Sequence, residues 1–339
     1  MFLLPRLVIG LFLVTILSSC ASSKQATSVG QVIAQTATSA VTLDIPTPVP
    51  TVVIPPVTTP VEQSIQVGRY VMRLYCAGQG TPAVILDPGL GGTHSGWSAV
   101  QALVSTITTV CSFDRFTTKL YPSLPTHTTR MVVKHLHALL KHAHVPGPYV
   151  LVGQSIAGWD VRLFTSYYPH QVAGMVLSDA AAPDVYTRLA PIVPANRRAK
   201  VDALVLGAPQ RMERLNVSKS AAQVAAVHSV GRIPLIVISH GVFSFPWSGQ
   251  IAVTTKERTK FDSIWSKMQN DLTHLSPNSI HVVAVGSGHG INTQNPELEL
   301  QAIDDVVIAA RTSPHRLPAC GTDLTVLGAV CVSSPKSNL

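Results

Sequence analysis

The sequence predicts an α/β domain built on a mostly parallel central sheet with helices on both faces. Short apolar runs rich in β-branched residues alternate along the chain with longer amphipathic stretches, which is typical of strands joined by crossover helices. Apolar residues make up 46% of the sequence and charged residues only 12%, so a large core can form. With 339 residues, the chain is long enough for one large domain of this class or two small ones.

The chain begins with a predicted targeting segment, residues 1–20. Arg6 precedes the apolar run LVIGLFLVTIL, which is shorter than the roughly 20 residues that a spanning helix takes. The next residues, LSSC, resemble the bacterial lipobox, in which the cysteine is lipidated and becomes the first mature residue. We therefore expect export and a lipid anchor on Cys20 in an envelope membrane. An ordinary secretory signal is the alternative.

Residues 21–63 predict a disordered tether. They are rich in Thr, Ser, Val, Ala and Pro, as in PTPVPTVVIPPVTTP. The repeated prolines remove backbone donors and fix φ, so neither a helix nor a central strand can persist. Such a segment would hold a folded domain away from a membrane.

The folded domain is expected at residues 64–311. The predicted strands are YVMRLYC, PAVILDPG, TTVCSFD, PYVLVGQS, AGMVLSDA, IPLIVIS and HVVAVGSG, and the predicted helices lie near residues 97–107, 128–142, 157–168, 256–275 and 296–310. Residues 181–232 interrupt this alternation with a helical, basic stretch between two strands, for which we expect a lid over a pocket. Its basic residues include Arg188, Arg197, Arg198, Lys200, Arg211 and Arg214.

The composition limits the partners. The formal net charge of +8 suits loose attraction to an anionic envelope surface, but no run of Lys and Arg is interleaved with aromatic residues, so nucleic-acid binding is not expected. In the stretch KHLHALLKHAH, the histidine pairs 135/142 and 137/144 would lie about two helical turns apart and on nearly opposite faces. One metal ion cannot be held that way, and we expect no metal or organic cofactor.

Four cysteines remain once Cys20 is set aside: Cys76, Cys111, Cys320 and Cys331. In an exported chain they predict disulfides, with three possible connectivities, and their spacings match no zinc pattern. Residues 312–339 form a C-terminal tail without clear periodicity, which its two cysteines could close as a small loop.

The stretch YVLVGQSIAGWD predicts a nucleophile at Ser155. A buried strand runs into Gly153, and an amphipathic helix pattern follows, so the serine stands on a sharp strand-to-helix turn. There its hydroxyl is presented at the carboxyl edge of the sheet, beside a helix N-terminus that favours developing negative charge. A serine that only caps the helix is the alternative.

A general base is predicted at His289. It follows the last predicted strand between Gly288 and Gly290, on a loop that can point over the sheet edge toward a serine on another strand. Donors for an oxyanion are predicted in the loop Gly89-Leu90-Gly91-Gly92, which follows another buried strand. The Leu90 N–H and the Ile156 N–H, just after the nucleophile, would bind the oxygen of a tetrahedral intermediate.

Several of these segments occur together in one order: CAGQGTPAVILDPGLGG, VCSFDR, VPGPYVLVGQSIAG, VAGMVLSDA, and GSGHGI followed by PEL. Residues 67–310 thereby resemble the α/β-hydrolase superfamily, and in particular its exported or membrane-attached esterase-like and lipase-like serine hydrolases. The resemblance implies an α/β-hydrolase fold with a helical lid insertion. The order of nucleophile before histidine also matches that superfamily.

The third catalytic residue is less clearly marked. In the superfamily the acid usually follows the penultimate strand, but IPLIVISHGVFSFPWSGQ contains neither Asp nor Glu. Asp179, at the carboxyl tip of the preceding strand AGMVLSDA, is the first choice, and Asp184 is the second. A structural role for Asp179 at the first turn of the lid is the alternative.

The sequence departs from the family at two places. We interpret the Asp114–Arg115 pair as structural. After it, the chain reads FTTKLYP where similar proteins usually carry GxGxS, so the pocket rim is expected to differ. Ala157 replaces the last glycine of G-x-S-x-G. The family's sheet places the second and fourth strands side by side, which implies a disulfide between Cys76 and Cys111.

The expected function is hydrolysis of a small-molecule carboxylic ester through an acyl-enzyme, with Ser155, His289 and Asp179 as the triad. A catalytically silent α/β-hydrolase fold that serves as a binding module is one alternative. An amide or peptide hydrolase, which uses the same triad, is another.

Overall fold

The computed structural model of the chain describes residues 57–205, 207–243, 253–320 and 322–333. The predicted signal peptide, Cys20 and most of the predicted tether lie outside these ranges. Among the residues that are described, no helix combines the length and the hydropathy that crossing a membrane requires.

One nine-stranded sheet organises the described residues, in the order β1-β2-β4-β3-β5-β6-β7-β8-β9. The block from β4 to β8 is parallel, while β1, β2 and β9 pair antiparallel to their neighbours. The strands are β1 Val61–Val67, β2 Tyr70–Ala77, β3 Ala83–Asp87, β4 Val110–Phe113, β5 Tyr149–Gln154, β6 Val172–Ser178, β7 Leu235–His240, β8 Ser279–Ala284 and β9 Ala329–Ser333.

The central strands read as continuous apolar runs because both faces of the sheet are covered. Successive side chains point to opposite faces, so Ile85 of β3 packs in one core cluster while Val84 and Leu86 pack in the other. The helices are α1 Ser98–Val104, α2 Thr129–His142, α3 Ala157–Tyr167, α4 Val185–Leu189, α5 Ala195–Val205, α6 Gly207–Glu213, α7 Val217–Ala225, α8 Thr255–Thr273, α9 Ile291–Gln294, α10 Pro296–Arg311 and α11 Thr322–Val326.

Helices cover both faces of the sheet, which confirms the predicted α/β class. Side chains of α1 and α10 pack in one core cluster, and side chains of α2, α3 and α8 pack in the other. Local signals set the helix ends. Helix α8 begins with a capping box between Thr254 and Glu257, and α10 begins with Asn295 as cap and Pro296 in the first turn.

The inserted stretch between β6 and β7 contains helices α4 to α7. Its apolar side chains, among them Val185, Leu215 and Val224, share a third core cluster with Trp159 of α3 and Trp265 of α8. The insertion is therefore packed against the elements that follow the carboxyl ends of β5 and β7.

The structure differs from the expected boundaries at both ends of the folded domain. Strand β1 begins at Val61, within the stretch expected to be tether, because VEQSIQV turns Ile65 and Val67 toward the core while Glu62, Ser64 and Gln66 stay exposed. The C-terminal tail is also part of the sheet: β9 pairs antiparallel with β8, and Ala329 and Cys331 pack in the core.

Both disulfides that the sequence suggested are present. Cys76 of β2 and Cys111 of β4 are direct register partners and are bonded to each other. Cys320 is bonded to Cys331, which ties the segment before α11 to β9. The tail is thus fixed to the sheet by strand pairing and by a covalent bond.

Candidate active site

Ser155 lies in the turn between β5 and α3, at the carboxyl edge of the sheet. Its φ is +57°, a left-handed conformation that is costly for a residue with a side chain. The backbone around it is held from the next strand: Ser155 N donates to Ser178 O at 3.1 Å, and Ser155 O accepts from Ala181 N at 2.8 Å and from Gly158 N at 3.1 Å. The strained turn is therefore supported by β6 and the loop after it.

Two small residues make this turn possible. A Cβ on Gly153 would lie 2.8 Å from Ala157 O and 2.9 Å from a methyl of Val161, so no larger residue fits. A Cβ on Gly158 would lie 2.6 Å from Ala180 Cβ. The close approach after the nucleophile thus falls at Gly158, one position later than the family pattern places its glycine, and Ala157 is accommodated in the core.

His289 follows β8 and reaches over the sheet edge to Ser155. Its Nε2 lies 2.9 Å from Ser155 Oγ, and its Nδ1 lies 2.6 Å from Asp179 Oδ2. Gln154 holds the loop, since its side-chain amide donates to His289 O at 3.2 Å. With a proton on Nδ1, the imidazole presents its Nε2 lone pair to the serine hydroxyl, as a general base requires.

Asp179 follows the last residue of β6 and is completely buried, with a φ of +42°. Its carboxylate accepts four hydrogen bonds, from His289 Nδ1, His240 Nδ1, His240 N and Trp265 Nε1. Burial alone would raise the pKa of Asp179, but hydrogen bonds from His240 and His289 outweigh burial and bring this pKa below its ordinary value. The carboxylate is therefore ionised at neutral pH.

Asp184, the second choice for the acid, lies elsewhere. Its Oδ2 is 2.6 Å from Arg188 Nε, one turn along α4, and its side chain is 44% exposed. Of the two candidate acids, the structure brings only Asp179 to His289.

The two expected oxyanion donors, Leu90 and Ile156, line the same pocket as Ser155. Within the described ranges, neither backbone N–H donates to another group of the protein. Both are therefore available to an oxygen held next to Ser155 Oγ. The loop that carries Leu90 is closed by a bond from Gly92 N to Gly89 O at 2.9 Å.

A buried ionic cluster lies under that loop. Arg115 contacts Asp87 of β3 at 2.8 Å, Asp160 of α3 at 2.7 Å and Glu213 of α6 at 2.8 Å, and all four side chains are buried. Glu213 Oε1 also accepts a 2.6 Å hydrogen bond from Gly91 N. The Asp114–Arg115 pair was interpreted as structural, and Arg115 here links the loop to the inserted helices.

A cavity of about 360 Å³ opens onto Ser155. Its lining is mainly apolar, with the catalytic candidates at one side. The apolar lining residues are Leu90, Trp97, Ile156, Ala181, Val185, Tyr186, Leu189, Met212, Phe261 and Trp265. The shape and chemistry suit a neutral molecule with an apolar group beside Ser155.

Sequence reasoning missed His240 and Trp265. The segment IPLIVISHGV contains no carboxylate, and His240 is the residue at its strand tip. Trp265 lies in the middle of α8, where its apolar body fits the helix pattern and gives no sign that its N–H bonds Asp179. A search for any polar side chain at a strand tip would have found His240.

The histidines of α2 contact different neighbours. His135 Nδ1 bonds Met131 O, His137 stacks on Tyr168, and His142 Nδ1 bonds Gln66 O. In the part of the chain that the structure describes, no group of three or more His, Cys, Asp or Glu side chains is placed to hold a metal ion.

Several known proteins resemble this chain in sequence or in structure. No protein-family model matches the chain. It is 26% identical to the uncharacterized protein YqjL of Bacillus subtilis, over 67% of this chain and 84% of that protein. Its structure resembles that of a bromoperoxidase from Bacillus anthracis, with a TM-score of 0.52 and 17% identity over 73% of this chain and 100% of that chain. It also resembles lip1 from Acinetobacter baumannii, assigned as a lipase, with a TM-score of 0.51 and 15% identity over 75% of this chain and 92% of that chain.

Proposed function

On the α/β-hydrolase fold that this chain adopts, we propose that it is a serine hydrolase that cleaves carboxylic esters through an acyl-enzyme. One observation carries this proposal: Ser155 Oγ, the His289 ring and the Asp179 carboxylate are joined by hydrogen bonds of 2.9 and 2.6 Å beside an apolar cavity. These are the contacts that a nucleophile, its base and the orienting acid require.

In the first half-reaction, Ser155 Oγ attacks the ester carbonyl carbon while its proton passes to His289 Nε2. The carbonyl π electrons move to the oxygen, which the Leu90 and Ile156 N–H groups stabilise by up to about 3–4 kcal/mol each. Collapse of the tetrahedral intermediate breaks the bond to the alkoxy oxygen, and His289 returns the proton to the leaving alcohol. Asp179 holds the ring and stabilises its protonated form.

In the second half-reaction, water replaces the alcohol. His289 takes a proton from the water, whose oxygen attacks the acyl carbon, and a second tetrahedral intermediate forms. Its collapse releases the carboxylic acid and returns the proton to Ser155 Oγ. No metal or organic cofactor takes part in this scheme.

The cavity supports an apolar acyl group as the part of the substrate that lies beside the nucleophile. Its apolar lining residues surround about 360 Å³. A volume of this size accepts a short or medium acyl chain, and the inserted helices α4 to α6 would serve as its lid. Amide bonds are a second possible substrate for the same residues, and a panel of substrates separates the two.

The first test is labelling with a fluorophosphonate probe. We expect the probe to bind the wild-type protein covalently and Ser155→Ala to remain unlabelled. Ser166→Ala, an exposed serine on α3, is the matched control and should label normally. A folded wild-type protein that does not react would favour a silent binding module instead.

The second test is a panel of p-nitrophenyl esters of increasing acyl length, with the matching anilides beside it. We expect kcat/KM to rise from acetate through medium acyl chains and then fall as the chain outgrows the cavity. The anilides should react far more slowly. Faster turnover of the anilides would overturn the assignment to esters.

We also propose that the protein is exported and held at an envelope membrane through a lipid on Cys20. The LSSC segment supports this location. Metabolic labelling with a tagged fatty acid should mark the wild-type chain and leave Cys20→Ala unlabelled. A labelled Cys20→Ala would contradict it.

A further inference from the structure

We propose that His240 is a positioning residue of this site: it holds the Asp179 carboxylate beside His289 and tunes how strongly His289 binds a proton. This inference rests on the proposed function. It assigns a role to a second histidine, one that stands at the tip of β7 where the sequence offered no acid.

Two imidazole rings share one oxygen of the Asp179 carboxylate. His240 binds the carboxylate twice, with its backbone N at 3.1 Å from Oδ1 and its Nδ1 at 2.8 Å from Oδ2. The same Oδ2 lies 2.6 Å from His289 Nδ1. Because Trp265 Nε1 also donates to Oδ1 at 2.7 Å, each carboxylate oxygen accepts from two donors, which opposes rotation of the carboxylate away from His289.

His240 is not a second base for the nucleophile. Its Nε2 faces Asp262 Oδ1 at 3.7 Å, whereas Ser155 Oγ is bonded to His289 Nε2. Its ring lies 5.7 Å from the Trp265 ring, and its side chain is 5% exposed. Packing and two hydrogen bonds thus direct His240 to Asp179. Its ring also lines the cavity, and we assign its effect on the reaction to the bonded carboxylate.

The charge of His240 matters for the proton on His289. Burial by itself would lower the pKa of His240, but the hydrogen bond and attraction from Asp179, with a contribution from Asp262, raise it overall. The other titratable groups nearby are His289, His281 of β8 behind Ser239, and Glu299 of α10 behind Ser178. His240 therefore holds its proton more strongly than a free histidine, and its positive charge, when present, opposes protonation of His289.

Two substitutions separate the hydrogen bond from the charge. His240→Ala removes both, whereas His240→Asn keeps an N–H donor near the position of Nδ1 but cannot become cationic. His274→Ala, an exposed histidine at the end of α8, is the matched control. The experiment measures kcat and the pH profile of kcat/KM on one p-nitrophenyl ester, with Ser155→Ala measured in parallel.

We expect His240→Ala to lower kcat about 10- to 100-fold, the loss of one charge-assisted hydrogen bond. His240→Asn should restore most of kcat. In both variants the acidic limb of the kcat/KM profile should move to higher pH by about one unit, because a neighbouring cation is gone and His289 binds its proton more readily. His274→Ala should match the wild type in both measurements.

The inference is overturned if His240→Ala keeps the wild-type kcat and acidic limb, or if His240→Asn is as slow as His240→Ala. Activity that survives in Ser155→Ala would instead overturn the proposed function. If neither His240 variant folds, low-field proton NMR of the wild-type protein decides. Two exchange-protected imidazole protons are expected, and one alone would contradict donation to Asp179 by both His240 and His289.

Discussion

Two buried polar networks at the carboxyl edge of the sheet balance their charges in opposite ways. Around Asp179, one carboxylate accepts four hydrogen bonds. Around Arg115, one guanidinium is shared by three carboxylates, those of Asp87, Asp160 and Glu213. The pKa of Asp179 is lowered, whereas burial and the neighbouring carboxylates raise the pKa of Asp87 and raise that of Asp160 to about 6.

The difference shows what keeps a buried carboxylate charged. Burial penalises the charge in both networks, so the number of donors per carboxylate decides the outcome. The Asp179 network maintains a negative charge next to His289. The Arg115 network joins β3, the loop after β4, α3 and α6, and the raised pKa values of Asp87 and Asp160 mean that it holds its negative charge less strongly.

The largest effect is expected where the charge itself is needed. Asp179→Asn should lower kcat by about 10⁴-fold, because an amide can turn its N–H₂ toward His289 and favour the wrong tautomer. Asp184→Asn, whose side chain pairs with Arg188 at the surface, is the control and should keep kcat within about twofold. Steady-state kinetics on one ester measure both. A strong loss in Asp184→Asn with none in Asp179→Asn would reverse the assignment.

The next effect concerns stability and the other network. Arg115→Met leaves three buried carboxylates without their cation and should lower the free energy of unfolding by about 3–5 kcal/mol. Arg188→Met removes an arginine that is 38% exposed and should cost less than about 1 kcal/mol. Urea denaturation with the disulfides intact measures both values. Equal losses would mean that burial does not set the strength of these ion pairs.

The sequence was sufficient to predict the elements that position the site, for identifiable reasons. Strand β5 is a continuous apolar run that ends at Gly153, and the helix pattern begins immediately after Ser155, so the turn between them could be placed by local signals. His289 could be placed because it follows a strand on a glycine-flanked loop. Asp179 could be predicted as a candidate acid because it stands at a strand tip. The sequence alone does not separate it from Asp184, whereas the structure shows that Asp179 contacts His289.

The supporting contacts could not be predicted because they join distant parts of the chain. Arg115 and Glu213 are separated by 98 residues, and periodicity contains no information about which buried charges meet. His240 was overlooked for a chemical reason: the expected partner of His289 at that place was an acid. The edge strands β1 and β9 were missed because short, half-exposed strands give only a weak alternation.

Glu299 provides an intermediate case between the two networks. It is completely buried on α10, and its Oε2 accepts one hydrogen bond, from Ser178 Oγ at 2.9 Å. Burial raises the pKa of Glu299 from 4.5 to about 7, so folding favours the neutral acid. Since the unfolded chain ionises at lower pH, the cost of this carboxyl is absent below about pH 4, grows as the pH rises and is complete above about pH 7.

Glu299→Gln should therefore stabilise the protein by about 3 kcal/mol at pH 8 and leave its stability unchanged at pH 4. The glutamine oxygen can still accept the bond from Ser178. Glu297→Gln, an exposed residue on the same helix, should show no such difference between the two pH values. Thermal unfolding at both pH values measures the effect, and a Glu299→Gln protein that is less stable at pH 8 would show that folding stabilises the ionised carboxylate and does not raise its pKa.

The smallest expected effect lies where the Arg115 network meets the candidate oxyanion loop. Glu213 accepts hydrogen bonds from Gly91 N and from Arg115, so the inserted helix α6 fixes the backbone beside Leu90. Glu213→Gln removes the charge and replaces one acceptor with a donor that faces other donors. The loop would then be held less firmly, but the residues that line the substrate cavity would be unchanged.

We expect Glu213→Gln to lower kcat about tenfold with little change in KM, because the Leu90 N–H contacts the oxyanion only in the transition state. Asp202→Asn, another carboxylate of the inserted segment, is the control. A rise in KM at constant kcat would mean that Glu213 acts on the shape of the cavity. An unchanged kcat together with a loss of stability would mean that the Arg115 network only stabilises the fold. Of the two networks, the reaction would then depend only on the one around Asp179.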